Sequence, residues 1–206
     1  MRVVHFKPYF LDLETTGLNP LENRIVAIGL TAFGRDVSVL LCRDENEELD
    51  SLRHLNEKFW NISAQIPRTM PLLVGYNIGF DLGFIAGRLA VLVKKFNESK
   101  KLLRFAGLLR EIPRVDLMHV ISRYWLNNRY IKMKQVCQAL GMDYDDCDGS
   151  DIPELATEGN WDAIINHLVA DLERTKELYA ILKDQGLIVH NLKVRYNLMD
   201  AEVVVE

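Results

Sequence analysis

Hydrophobic and polar positions divide this chain into elements of two periods. Segments 8–14, 25–33 and 36–42 are apolar or β-branched and bounded by turn residues, which predicts three strands in an antiparallel meander. A stretch near 47–60 opens in acids and closes in Lys58-Phe59-Trp60, as a helix does. Then come a strand at 72–76, a helix at 80–95, a polar basic stretch to about 111 and a strand at 112–117. Helices follow near 117–126, 132–140 and 160–185, the last stopping at Gly186. A meander followed by alternating strands and helices predicts an α/β fold: a mixed sheet flanked by helices. At 206 residues and 49% hydrophobic, the chain can bury one core, placed in residues 1–185. Residues 186–206 read as an extension. Leu192, Val194 and Tyr196 there alternate with Asn191, Lys193 and Arg195, which predicts an added strand, at the sheet edge or against another subunit.

The first strand carries the chemistry. Residues 10–17 read Phe-Leu-Asp-Leu-Glu-Thr-Thr-Gly. Alternation points Phe10, Asp12 and Glu14 one way and Tyr9, Leu11 and Leu13 the other. Two carboxylates on one face of a buried strand repel each other and lose hydration, and a divalent cation with a hard-oxygen preference would compensate. The turn at Thr15-Thr16-Gly17 is expected to expose backbone N–H groups that could hold a phosphate. Residues 72–81, Leu-Leu-Val-Gly-Tyr-Asn-Ile-Gly-Phe-Asp, place Asp81 at a strand-to-helix junction, where open α/β sheets put their sites. His167 and Asp171 stand four apart in the 161–182 helical pattern and so share a helix face. Asp116, at another strand end, is expected to cap the following helix.

Taken in order, Asp12-x-Glu14, Asn77-x-x-Phe80-Asp81 and the late Asp171 resemble the three motifs of the DEDD 3′–5′ exonucleases. The spacing is most similar to the proofreading domains of family-B DNA polymerases and their stand-alone prokaryotic relatives. The likeness covers roughly residues 5–183 and implies a ribonuclease-H-like fold. It also implies a two-ion magnesium or manganese site held by Asp12, Glu14, Asp81 and Asp171, with ions about 3.5–4 Å apart, acting on single-stranded nucleic acid or 3′ ends. Thr15, Thr16, Asn77 and Phe80 would seat and wedge the terminal nucleotide. One position departs from the pattern. The superfamily has a tyrosine four before the last Asp or a histidine five before it, whereas here His167 stands four before Asp171 and Asn166 five before. His167 is either the base or orienter of the attacking water, or a residue lining the cleft. DNA is the favoured substrate. The alternatives are an RNA-trimming enzyme of the same superfamily and a non-catalytic nucleic-acid-binding module.

Charge sharpens the picture. The net charge is −4, but residues 88–134 hold 12 Lys/Arg against 3 Asp/Glu, while the remainder holds 13 against 26. Lys94, Lys95, Lys100 and Lys101 within that tract are expected to bind the substrate backbone, and Arg123-Tyr124-Trp125 and Arg129-Tyr130 pair cations with rings that can stack on bases. Three irregularly spaced cysteines suggest neither a disulfide framework nor a zinc site. No apolar run approaches a membrane span and no signal segment opens the chain, so a reducing cytoplasm is expected. Asp143–Glu154 looks faintly like a calcium loop, but the frame that puts Gly149 at the sixth position puts Tyr144 and Leu155 at ligand positions one and twelve, which excludes it.

Overall fold

The computed structural model describes residues 2–63, 69–143, 149–188, 191–196 and 201–205. Strands β1 (Arg2–Thr15), β2 (Ile25–Ala32) and β3 (Ser38–Leu41) form the expected antiparallel meander. Helix α1 (Glu45–Ser63) leads to β4 (Thr69–Gly75), which lies parallel to β1, and α2 (Ile78–Lys95) follows. Next come α3 (Arg104–Glu111), β5 (Arg114–Asp116), α4 (Leu117–Trp125), α5 (Met133–Leu140), α6 (Ile152–Glu158) and α7 (Trp161–Asp184). The sheet order is β3-β2-β1-β4-β5, with β4 and β5 parallel. This is the ribonuclease-H-like α/β architecture. Strand β6 (Asn191–Tyr196) pairs antiparallel with Arg2–His5 of β1, and β7 (Ala201–Val205) pairs with β6.

Alternation on β1 splits the core in two. Leu11 and Leu13 pack with α1, α2 and α3, through Leu52, Phe59, Phe84, Leu89 and Phe105. Phe10 packs on the opposite layer, with Leu117, Ile152, Leu168, Leu172 and Tyr179. Asp12 and Glu14 therefore share the face covered by α7.

Two helices escape the sequence pattern. The stretch to about 111 is not simply polar. It contains α3, which rests on Phe105 and Leu109, one turn apart and fully buried, while Arg104, Gly107 and Arg110 face outward. Two anchors among cations are too few to register as a period. Helix α6 is equally short, and Pro at its first turn starts it rather than breaking it. Part of the rejected calcium loop, residues 144–148, lies outside the described residues.

The approach of α7 to the sheet depends on Gly29, paired with Asp12 across the β1–β2 ladder. A Cβ at Gly29 would fall inside the van der Waals envelope of Leu172 and 3.0 Å from Leu168 Cγ. Both leucines are fully buried, so neither can swing away cheaply. Gly29→Ala should therefore destabilise the fold by about 1–3 kcal/mol through overpacking, read as a lowered denaturant midpoint with an unchanged slope. A midpoint equal to the parent's would show that α7 is not seated against this glycine.

Candidate active site

Strand β1 outruns its parallel neighbour. The last β1–β4 pair is Phe10 with Val74, and β4 ends at Gly75. Asp12–Thr15 thus lie at the carboxyl end of the parallel strands with one edge open, where a helix start can reach them. The chain turns at Asn77, in the left-handed region at φ 63°, and Asn77 N donates to Asp116 Oδ1 at 3.0 Å. Asp116 also accepts from Met118 N and His119 N, so it caps α4 as expected and locks the β4–α2 turn as well. Asp81 then falls in the first turn of α2, only 3% exposed.

The carboxylates are electrostatically coupled. Burial, then the Asp171 charge, pushes Asp12 up to about 8 from 3.8, with an opposing contribution from the Leu13 N–H. Asp81 is raised well above the ordinary carboxylate range by burial first and the Asp12 charge second, against contributions from its own N–H and that of Leu13. His167, 3% exposed, sets Nε2 3.7 Å from both Glu14 Oε1 and Asp171 Oδ2. It thus sits between two acids from different elements, packed behind the cleft rather than standing in it. Arg174, one turn beyond on α7 and unmarked by any motif, donates from Nη1 to Asp171 Oδ1 at 2.7 Å and from Nε to Asp143 O at 3.0 Å.

Before these acids opens a cleft of about 540 Å³ lined by Asp12, Asp171, Tyr76, Asn77, Tyr130 and Lys132, among others. Its far wall is the α4–α5 loop, held by the Tyr76 hydroxyl donating to Ile131 O at 2.6 Å. Tyr130 and Lys132 therefore line the cleft, though the sequence singled out only Tyr130, as part of a long basic tract. Phe80 is half-buried and leans on Phe84, 5.5 Å between ring centroids.

Other expected contacts are not assembled here. Thr15 Oγ1 donates to Gly17 O, Thr16 N to Arg24 O, and Thr16 Oγ1 accepts from Arg24 N. The Thr16 amide expected to greet a phosphate is spent closing the turn. Lys94, Lys95, Lys100 and Lys101 are not beside the acids. Lys94 and Lys95 close the last turn of α2, about 20 Å from Asp81 at 1.5 Å per residue, with Lys100 and Lys101 past its end, and Lys95 pairs with Glu45. The basic tract is divided: Lys94, Lys95, Lys100, Lys101 and Arg104 lie at the far end of α2, Tyr130 to Lys132 at the cleft, and Arg114 on β5 two residues before Asp116.

Among the described residues no three His, Cys, Asp or Glu side chains already form a metal cage. The donor set nonetheless fits a hard cation. Carboxylates come together from β1, α2 and α7, and burial, with the charge of a neighbouring acid, raises Asp12 and Asp81 above the ordinary range.

The sequence profile of the RNase H superfamily matches residues 9–183. The chain belongs to that superfamily. It is similar to an uncharacterized protein of Methanocaldococcus jannaschii, 38% identical over 188 residues, covering 86% of this chain and 96% of that one. Its fold is similar to that of the family B DNA polymerase from the archaeon Pyrobaculum calidifontis, with a TM-score of 0.66, 15% identity, and coverage of 88% of this chain and 25% of the polymerase. E. coli exonuclease I in complex with a dT13 oligonucleotide aligns with a TM-score of 0.51 and 14% identity, over 86% of this chain and 41% of that enzyme. The chain thus spans less than half of either solved structure. These matches bear out the resemblance that the motifs carry. No described helix is long and apolar enough to cross a membrane.

The raised carboxyls have a consequence for stability. A group whose pKa rises from 3.8 to about 8 on folding makes the folded state the better proton binder between those values. Stability then falls as pH rises through that window. In chelator, the melting temperature should drop from pH 5 to pH 8, and Asp12→Asn should flatten the drop and melt higher at pH 8. Parallel profiles for parent and variant would mean that the acids do not strain the fold.

Proposed function

We propose that the protein is a divalent-metal-dependent exonuclease that removes nucleotides from the 3′ ends of single strands, DNA in preference to RNA. The observation that carries this reading is that Asp12 and Asp171, from separate elements, line one open cleft whose other wall holds Tyr130 and Lys132, with the buried Asp81 close enough to Asp12 to feel its charge. The exonuclease I similarity, to a structure holding a dT oligonucleotide, supports the substrate class.

Asp12, Glu14, Asp81 and Asp171 would hold magnesium or manganese, which supplies Lewis acidity at the scissile phosphate when bound. The protein's own part is orientation and proton handling. Tyr130, 67% exposed at the cleft rim, offers a ring face to a base. Lys132 adds a cation to the wall. His167 Nε2, between Glu14 and Asp171, is placed to orient or deprotonate a water that those acids align. Arg174 fixes Asp171 through Oδ1 and leaves Oδ2 turned toward His167.

The test is hydrolysis of 3′- and 5′-end-labelled DNA and RNA strands with magnesium, manganese or chelator. The expected result is stepwise 3′ shortening of DNA that chelator abolishes. Asp12→Asn, Asp81→Asn and Asp171→Asn should each lower kcat/KM on the order of 10²-fold or more, a loss of about 2.7 kcal/mol in transition-state stabilisation. Robust hydrolysis by Asp12→Asn would sink the reading.

His167→Ala should lower kcat far more than it raises KM, because the histidine contacts acids rather than the cleft floor. A parent-like kcat across pH 6–9 would leave His167 a packing residue only.

A further inference from the structure

A single exposed aromatic ring is ordinary on a protein surface. Tyr130 differs in its place and in how it is held. It lines the same cleft as Asp12 and Asp171, and the chain that carries it is pinned at several points. Beyond α4 the backbone reverses through Asn127 and Asn128, both in the left-handed region at φ 49° and 65°, and Asn128 N donates to Ser122 O at 2.8 Å. Residues other than glycine take that conformation at a cost, and keep it only where their surroundings fix it. After Tyr130 the Tyr76 hydroxyl holds Ile131 O, and Lys132 N donates to Gln135 Oε1 at 3.3 Å as α5 begins.

The ring is held as well as the backbone. His119, on the exposed side of α4, meets Tyr130 edge to face, with centroids 5.6 Å and planes 78° apart. His119 Nδ1 in turn stands 3.0 Å from Asp116 Oδ2. The other oxygen of that carboxylate takes the Asn77 amide, and Asn77 also lines the cleft. Capping α4 uses Oδ1 alone, through Met118 N and His119 N. The hold on the imidazole is thus a second task of Asp116, and one buried-side carboxylate supports two residues of the cleft lining.

We infer that His119 is a positioning residue that, with Asp116, holds Tyr130 as a preformed platform for one nucleobase of the strand in the cleft. The inference rests on the exonuclease reading above and deepens it, by naming the ligand of this part of the cleft and what readies the cleft for it. A tyrosine ring takes a base by its π face, which every base has, so the platform recognises the presence of a base and not its identity. A ring already held in place loses little freedom when the base arrives, so the brace acts on strand binding more than on bond cleavage.

The test is binding, in chelator, of a series of DNA octanucleotides that each lack one base. The parent should lose at least about fivefold in affinity when one particular base near the 3′ end is missing, and exchanging that base for another should cost less than about twofold. In Tyr130→Ala the missing base should no longer matter at that position, while the rest of the series keeps the parent's pattern. Tyr130→Phe, which keeps the ring, should keep the loss. His119→Asn retains a donor for Asp116 but has no ring, and should bind the intact strand about two- to tenfold more weakly, with a smaller loss at that same position. His119→Phe, which keeps a ring edge against Tyr130, should stay nearer the parent than His119→Asn does. With magnesium, His119→Asn should raise KM by more than it lowers kcat. Each variant is compared with itself on two strands, so a general weakening of the fold lowers both affinities and cannot imitate the effect. A Tyr130→Ala series with the parent's pattern overturns the platform. A His119→Asn protein that binds as the parent does, or that loses in kcat what it should lose in KM, overturns the positioning role. Failure of the exonuclease reading shows separately, as absence of metal-dependent hydrolysis of any strand by the parent protein, and leaves the binding series intact.

Discussion

Burial raises both Asp12 and Asp81 above the ordinary carboxylate range, the charge of a neighbouring acid adds to it in each case, and the backbone N–H of Leu13 opposes it only in part. That amide is available because β1 continues past the end of β4, so its edge faces the first turn of α2 instead of another strand. With Asp171 arriving from the α7 side, Asp12 and Asp171 meet at the floor of the cleft while Asp81 and Glu14 lie buried behind them. The result is a site that binds protons more readily than carboxylates ordinarily do. A cation offered to it meets charge already gathered and already partly stripped of solvent.

Such a site needs rigid supports, and each layer provides one. On the α2 side, Arg88 is 2% exposed and Glu48 fully buried. Glu48 accepts from Arg88 Nε at 2.8 Å and from Ile25 N at 2.9 Å, while Arg88 Nη1 donates to Pro20 O at 3.2 Å. One ion pair thus ties α1, α2, β2 and the turn after β1 together. Removing a single partner would strand a buried charge at a cost of about 3–5 kcal/mol, which gives the pair a positioning value beyond its small net contribution to stability. On the other side, Gly29 admits α7, and Arg174 clamps Asp171.

The fold was legible wherever one period governed a long segment. β1, β2 and α7 follow from alternation and from a sustained helical pattern, and the ordered motifs picked out Asp12, Asp81 and Asp171, which the fold brings near one another. What was not legible depends on contacts between distant segments. Gly29 looks like any strand glycine until α7 is laid on it. Arg174 is a helix cation until Asp171 and the Asp143 carbonyl are seen at its two ends. The basic tract reads as one feature because sequence distance cannot show that α2 carries Lys94 away from the acids while the α4–α5 loop brings Tyr130 back.

The same geometry accounts for the histidine in an unexpected register. A residue one turn before Asp171 must reach across to Glu14 on β1, and the length it needs is set by how far α7 stands from the sheet. Gly29 brings Leu168 and Leu172, the neighbours of His167 and Asp171, down onto the strand that pairs with β1. At that separation an imidazole, with the shorter side chain, already places Nε2 midway between Glu14 and Asp171, 3.7 Å from each. A phenol in the same position would carry its oxygen farther than the imidazole reaches, past the midpoint between the two acids. The small residue on β2 and the histidine on α7 are thus two expressions of one spacing, and neither position can be read without the other.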